Sequence, residues 1–410
     1  MFRARACKTL GIPSTQPAPE PDKPRLLDSA DLFWLAAASI AQIPPRALIL
    51  PAMQSKMQPL LRLLPLLATL QALTIIEQSL HKLHRPPSAN HAEVPERLES
   101  AKAALLASDV KVKDWRNAVN STTCTVFDAV DALKLVHDVE HLREVQAMSQ
   151  TGGGFDTDTY CAPGSWEAVL DGTRAWADAV ALAVDDEGPA FALSRPAGHH
   201  ATRTTAMGFG LVNYACAAVA KALEGGASTA AWKSKFGRAT SGVTKVYAIF
   251  PHRSAVSILD WDVHHGNGVA AIFGQEPRVR YCSIHEAGGF PGTGQDESDR
   301  GALGNILNLP LPKGSGSDEY FAALRDKALP FLLDPAPDCL LVCSGYDALE
   351  PDPLATMTLQ PSDFAQSVDA ILARYPRTRV ALGLEGGYAL GENGMPEAFT
   401  ETCRALVDGA

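Results

Sequence analysis

Cysteine is scarce in this chain: eight in 410 residues, with no CxxC pair and no dense framework. That argues for buried free thiols in a reducing compartment; a thiolate metal site at Cys339 and Cys343, which flank Leu340-Leu341-Val342, is the alternative. An excess of basic residues is also missing. The 36 Lys and Arg face 46 Asp and Glu, a net charge of -10, which argues against direct binding to a nucleic-acid backbone. An acidic enzyme can still act on a cationic protein. Apolar runs are too short to span a bilayer. The stretch from Leu63 to Ile76 covers about 14 residues and holds Pro65, whereas a span needs about 20. A docked amphipathic helix is expected there instead. No internal repeat is evident, and 46% hydrophobic with 20% charged content excludes collagen-like, low-complexity and wholly disordered chains.

What is present divides at about residue 85. The first 85 residues carry many proline breaks, and Arg3, Arg5 and Lys8 precede the first acid, Glu20. A basic start of this kind fits an organelle transit peptide. Residues 1–85 are therefore read as an extension, for targeting or partly disordered, and 86–408 as one catalytic domain. No strand is expected before Pro86, because Leu60–Leu80 reads as helix. Beyond His91, helical periodicity covers Glu96 to Leu106, Ser165 to Val184, Val212 to Leu223 and Gly268 to Phe273. Between them stand continuous apolar runs: Phe191–Leu193, Ala255–Leu259, Val279–Ile284, Leu340–Cys343 and Val380–Leu384. Such alternation predicts an α/β domain with a mostly parallel central sheet covered by helices on both faces.

Each of these runs is followed directly by an unusual polar cluster. They are Arg195-Pro-Ala-Gly-His-His, Asp260-Trp-Asp-Val-His-His-Gly-Asn-Gly, His285 with Phe290-Pro-Gly-Thr-Gly, Gly345-Tyr-Asp and Glu385-Gly-Gly-Tyr. Ligands of open α/β sheets bind beyond the carboxyl ends of strands, so five strand ends would share one rim. In extended chain, Asp260, Asp262 and His264 point to the same side. Carboxylate oxygen and imidazole nitrogen suit a divalent ion of zinc type, and Asp347 is the natural third ligand. An isolated pair of this kind more often caps a helix; the second His-His pair, the glycines and Asp347 turn the reading towards a metal. His199 or His200 could take and return a proton, with Asp260 and Asn267 available to fix the rings. Tyr388, after two glycines, could donate to a developing oxyanion. Phe209 and Phe290 could wall a narrow apolar slot.

In these motifs the chain resembles the zinc-dependent histone deacetylases of the arginase/deacetylase fold, from about His91 to Cys403. Asn267, in place of Asp, is similar to the class II branch, and Ile306-Leu-Asn-Leu-Pro-Leu-Pro-Lys-Gly-Ser-Gly resembles plant members, some of them organellar. The resemblance implies one zinc per chain on Asp262, His264 and Asp347, with His200 as general base and acid, His199 as its electrostatic partner and Tyr388 polarising the acyl carbonyl. It implies an acyl-lysine tunnel flanked by Phe209 and Phe290, with Gly208 at its floor and Leu354 near its mouth. It further implies a structural potassium held by Asp260, Asp262, the His264 backbone, Ser283 and the Ile284 backbone. The implied substrate is an acylated-lysine protein, histone or otherwise. Alternatives are a deacetylase of small N-acetylated amines and a catalytically weak scaffold. Gly266, two after His264, argues against a binuclear arginase-like site. Two features depart from the family pattern: Pro196-Ala197 replaces Pro-Pro, and Gly225–Arg253 is a longer linker. Localisation leans to chloroplast or mitochondrion, with nucleus or cytoplasm as the alternative.

Overall fold

The apolar runs pair into one eight-stranded sheet, and every pairing in it is parallel. The structure is a computed structural model that describes residues 73–88, 90–120, 126–225 and 255–409. In chain order the strands are β1 (Thr74–Glu77), β2 (Asp114–Asn117), the two-residue pair β3 (Gly153–Gly154) and β4 (Tyr160–Cys161), β5 (Ala190–Leu193), β6 (Val256–Asp260), β7 (Val279–Glu286), β8 (Ile306–Leu311), β9 (Cys339–Ser344) and β10 (Val380–Leu384). β3 and β4 form a separate antiparallel pair. The large sheet runs β2-β1-β5-β10-β9-β6-β7-β8.

Alternate strand residues feed two different cores, as a period of two requires. Ile75, Phe191, Leu193, Leu259, Leu340, Val342 and Leu382 pack with the helices Glu96–Ala107, Pro361–Leu372 and Met395–Asp408. Ile76, Ala190, Ala192, Ile258, Leu341, Cys343 and Ala381 pack with Ser165–Val184 and Tyr214–Gly225. Both faces are thus dry, which explains why the runs are largely apolar rather than alternating. Gly383 is glycine because Trp176 occupies the adjoining space: an added Cβ would lie 2.2 Å from Trp176 Cζ2. The six described cysteines, Cys161, Cys216, Cys282, Cys339, Cys343 and Cys403, are free and buried. Cys7 and Cys124 lie outside the described residues.

The expected helix over Leu60–Leu80 is corrected at its described end. Thr74–Glu77 is a fully buried strand between β2 and β5, in register with Asp114–Asn117 and Ala190–Leu193. The sheet therefore begins ahead of Pro86, and the boundary drawn at residue 85 falls inside the folded body. Residues 1–72 of the expected extension, and Gly226–Arg253 of the long linker, lie outside the described residues. No helix among the described residues is long and apolar enough to cross a membrane.

The strand order places the chemistry. The strands whose ends carry the polar clusters (β5, β10, β9, β6 and β7) are five consecutive neighbours in the sheet. Because they are parallel, all five clusters emerge on one edge.

Candidate active site

The three residues read as metal ligands converge. Asp262 and His264 leave the end of β6, and Asp347 leaves the end of β9, its immediate neighbour. One ligand atom from each of the three lies within 4.8 Å of the others. His264 Nδ1 stands 3.0 Å from Asp347 Oδ2 and 3.2 Å from Asp262 Oδ1. Ligand atoms on a tetrahedral zinc with bonds of about 2.05 Å would be roughly 3.3 Å apart, so the spacing fits one ion of that size. Both carboxylates are fully buried. Glycines make room for them: a Cβ on Gly345 would fall 2.2 Å from Asp262 Oδ2, and one on Gly386 would fall 2.1 Å from Asp347 Oδ2. The electrostatics ask for positive charge at the centre. Although burial works against it, the two carboxylates push His264 up to about 10. Burial and the neighbouring Asp262 push Asp347 up to about 7. A divalent cation would answer the same demand.

The two adjacent histidines follow β5 and turn to different partners. His199 Nδ1 meets Asp260 Oδ2 at 3.0 Å, and His200 Nδ1 meets Asn267 Oδ1 at 2.8 Å. Asn267 Nδ2 is directed at Met207 Sδ, 3.4 Å away, which orients the amide with its oxygen towards His200. An amide oxygen only accepts, so His200 Nδ1 donates and Nε2 is left as the basic nitrogen. Burial and the neighbouring charges of His199 and His264 hold His200 well below its ordinary value. His199 goes the other way: burial would lower it, but Asp262 and Asp260 outweigh that and hold it well above. Environment thus moves two consecutive histidines in opposite directions.

Over this base lies a cavity of about 320 Å³, lined by His199, His200, Gly208, Phe209, His264, Phe290, Leu354, Tyr388 and the Asp156–Asp158 loop. The Phe290 ring stands edge-on to His200, with centroids 4.9 Å apart. Phe209 stands edge-on to Tyr388 at 5.5 Å. Gly208 must be glycine here: its φ is +57°, and a Cβ would come within 2.4 Å of His200 Cδ2 and 2.9 Å of Phe290 Cε1. Phe290 and Leu354 are respectively 47% and 41% exposed, as residues at a mouth would be. The remaining expected residues also gather nearby. Asp260 and Ser283 are register partners on β6 and β7, and Ile284 follows Ser283.

Sequence reasoning missed several residues that hold this arrangement. Tyr281 donates to Asp260 Oδ2 at 2.8 Å, but a tyrosine inside an apolar strand reads only as core. Glu385, noted only as part of a motif, accepts from the backbone N–H of Gly198 at 2.6 Å and of His199 at 3.2 Å. Burial pushes Glu385 up to about 7. Arg97 lies with its guanidinium 4.7 Å from the Tyr388 ring centroid and donates to the carbonyls of Gly387 (2.7 Å) and Glu385 (2.5 Å). Asp352 accepts from the backbone N–H of Tyr388 at 2.7 Å. Asp352 alone had a local signal: it also accepts from Leu354 N, two residues on, as Asp does in turns.

The arrangement has the side chains to hold a divalent ion, to move a proton beside it and to donate a hydrogen bond from Tyr388, which lines the same cavity. Similarity to known proteins gives the family. The model of the histone deacetylase domain matches residues 91–230 and 244–406. A histone deacetylase-like amidohydrolase of Pseudomonas aeruginosa is 34% identical over 333 residues, covering 78% of this chain and 77% of that protein. The chloroplastic histone deacetylase 14 of Arabidopsis thaliana is 32% identical over 223 residues, covering 53% of this chain and 46% of its own length. The crystal structure of the HDA15 HD domain superposes with a TM-score of 0.69 at 28% identity, covering 83% of this chain and 89% of that one. With the fold, the convergent strand ends and these matches together, the chain belongs to the histone deacetylase family of the arginase/deacetylase superfamily.

Proposed function

We propose that the chain is a zinc-dependent amidohydrolase that removes acetyl or other acyl groups from Nε-acyl-lysine side chains of histones or other proteins. The observation that carries this reading is the meeting of Asp262, His264 and Asp347 at the base of a slot that His200 and Tyr388 also line. A zinc ion held by those three residues would supply a Lewis acid and lower the pKa of a water molecule. His200, neutral and with Nε2 basic, takes the proton of the attacking water. Phe209 and Phe290 wall the slot around the aliphatic stem of the acyl-lysine and limit entry of bulk water. As the carbonyl oxygen gains charge, the Tyr388 hydroxyl donates a hydrogen bond to it. His199, raised by Asp262 and Asp260, in turn lowers His200 and so favours delivery of the proton from His200 to the leaving amine. A structural potassium at Asp260, Asp262, the His264 and Ile284 carbonyls and Ser283 belongs to the same reading, supported by the register of Asp260 with Ser283. An organelle location is also part of it, supported by the chloroplastic relative.

The test is a panel of acyl-lysine peptides and free acetylated amines, run with and without a hydroxamate chelator. Chelator-sensitive turnover of the peptides is expected. Faster turnover of the free amines would move the substrate class towards small molecules, in keeping with the amidohydrolase name of the bacterial relative. Turnover indifferent to the chelator would remove the metal.

A further inference from the structure

Tyr388 is attached to the end of β10 by Glu385-Gly386-Gly387. Gly387 has a φ of +112°. Two consecutive glycines give the chain no side chains of its own to fix the backbone and the largest conformational freedom to lose. The catalytic hydroxyl therefore needs an anchor from elsewhere. Arg97 holds the carbonyl side of this segment. The N–H side is held by Asp352, a buried carboxylate on the loop that follows Asp347. Its Oδ2 accepts from Tyr388 N at 2.7 Å and from Ala389 N at 3.3 Å; its Oδ1 accepts from Leu354 N at 3.0 Å. Hydrogen bonds to an ionised acceptor are roughly twice as strong as neutral ones. Asp352 thus ties the segment carrying Tyr388 to Leu354 at the mouth of the slot.

We infer that Asp352 is a positioning residue for catalysis, setting where the Tyr388 hydroxyl stands in the slot by holding the Tyr388 and Ala389 amides. This rests on the deacylase reading above. Displacement of a reacting group by about 1 Å can cost on the order of 100-fold in rate. Asp352→Asn preserves the shape but removes the charge and turns one acceptor into a donor. None of these bonds reaches Asp262, His264, Asp347 or His200, and the charge of Asp352 acts on Asp347 only by raising it, so Asp352→Asn should not cost the chain its metal.

The experiment is a double-mutant cycle on the full metal-loaded chain with an acetyl-lysine peptide: wild type, Asp352→Asn, Tyr388→Phe and the double variant. Asp352→Asn should lower kcat by about 10- to 100-fold with little change in KM. In the Tyr388→Phe background, which has no hydroxyl left to misplace, it should cost no more than about 2-fold. The same fold-loss in both backgrounds would overturn the inference, because a merely structural role is indifferent to the hydroxyl. Should Asp352→Asn fail to fold, Asp352→Glu, which keeps the charge but moves it by one methylene, passes through the same cycle with the same two outcomes. An inactive wild type would overturn the deacylase reading and this inference with it; an active wild type with additive losses overturns the inference alone.

Discussion

Gly386 lies against Asp347 so closely that a Cβ at its position would stand 2.1 Å from Asp347 Oδ2 and 2.6 Å from Asp262 Oδ2. The backbone N–H of Gly386 at the same time donates to Asp262 Oδ2 at 2.8 Å. One residue therefore both bonds the Asp262 carboxylate and leaves room for it and for Asp347. Gly386→Ala should displace both carboxylates and lower zinc content well below one per chain. Elemental analysis of the purified variant checks this; a full complement of zinc would mean that the ligands tolerate the methyl.

Tyr388→Phe removes one hydroxyl from the wall of the slot and touches no ligand carboxylate. Loss of a single oxyanion donor costs about 100- to 1000-fold in kcat. That loss is expected with metal content unchanged, measured by steady-state turnover beside elemental analysis. Undiminished turnover would exclude Tyr388 from the chemistry.

Asn267→Asp exchanges a neutral acceptor for an anionic one on His200 Nδ1, which now bonds Asn267 Oδ1 at 2.8 Å. A carboxylate there favours the imidazolium, so the pKa of His200 rises. The general base must be neutral, and activity on the acid side should therefore disappear at a higher pH than in the wild type. The acid limb of kcat/KM against pH reads the shift. An unmoved limb would mean that His200 is not the titrating base.

Stability should weaken on the acid side for a reason remote from the metal ligands. Burial holds His84 and His137 down at about 3, so both are neutral in the fold at pH 5. In the unfolded chain they bind protons below about 6.5. Between those values the unfolded state holds more protons, so each contributes up to about 1.4 kcal/mol of lost stability per pH unit as the pH falls. Glu93 is the opposite kind of group. Burial alone would raise it, but Arg195, with His84 and Arg97, holds it at about 2, so its contribution persists until the pH falls below about 4.5. Urea midpoints should drop steadily from pH 6.5 to 4.5 and more steeply below. A midpoint that does not change between pH 6.5 and 5 would mean that these histidines are protonated in the native state.

The sequence by itself determined five of the eight sheet strands, β5, β6, β7, β9 and β10, since short apolar runs between helical periods have few other homes. It also singled out the three residues that converge, Asp262, His264 and Asp347, because the first two stand two apart beyond one apolar run and the third follows another. Only the tertiary structure decided that Thr74–Glu77 is a strand. Four buried residues beside a leucine-rich stretch show no alternation, and it is pairing with β2 and β5 that selects extended over helical backbone. The supports of the site were equally hidden. Arg97 and Glu385 lie 288 residues apart, Gly198 and Glu385 187 apart, Tyr388 and Asp352 36 apart. Their bonds run from side chain to backbone, and backbone groups carry no letter in the sequence. A pattern of residue types can name the ligands of an ion; which amide a distant carboxylate holds is settled by how the strand ends pack.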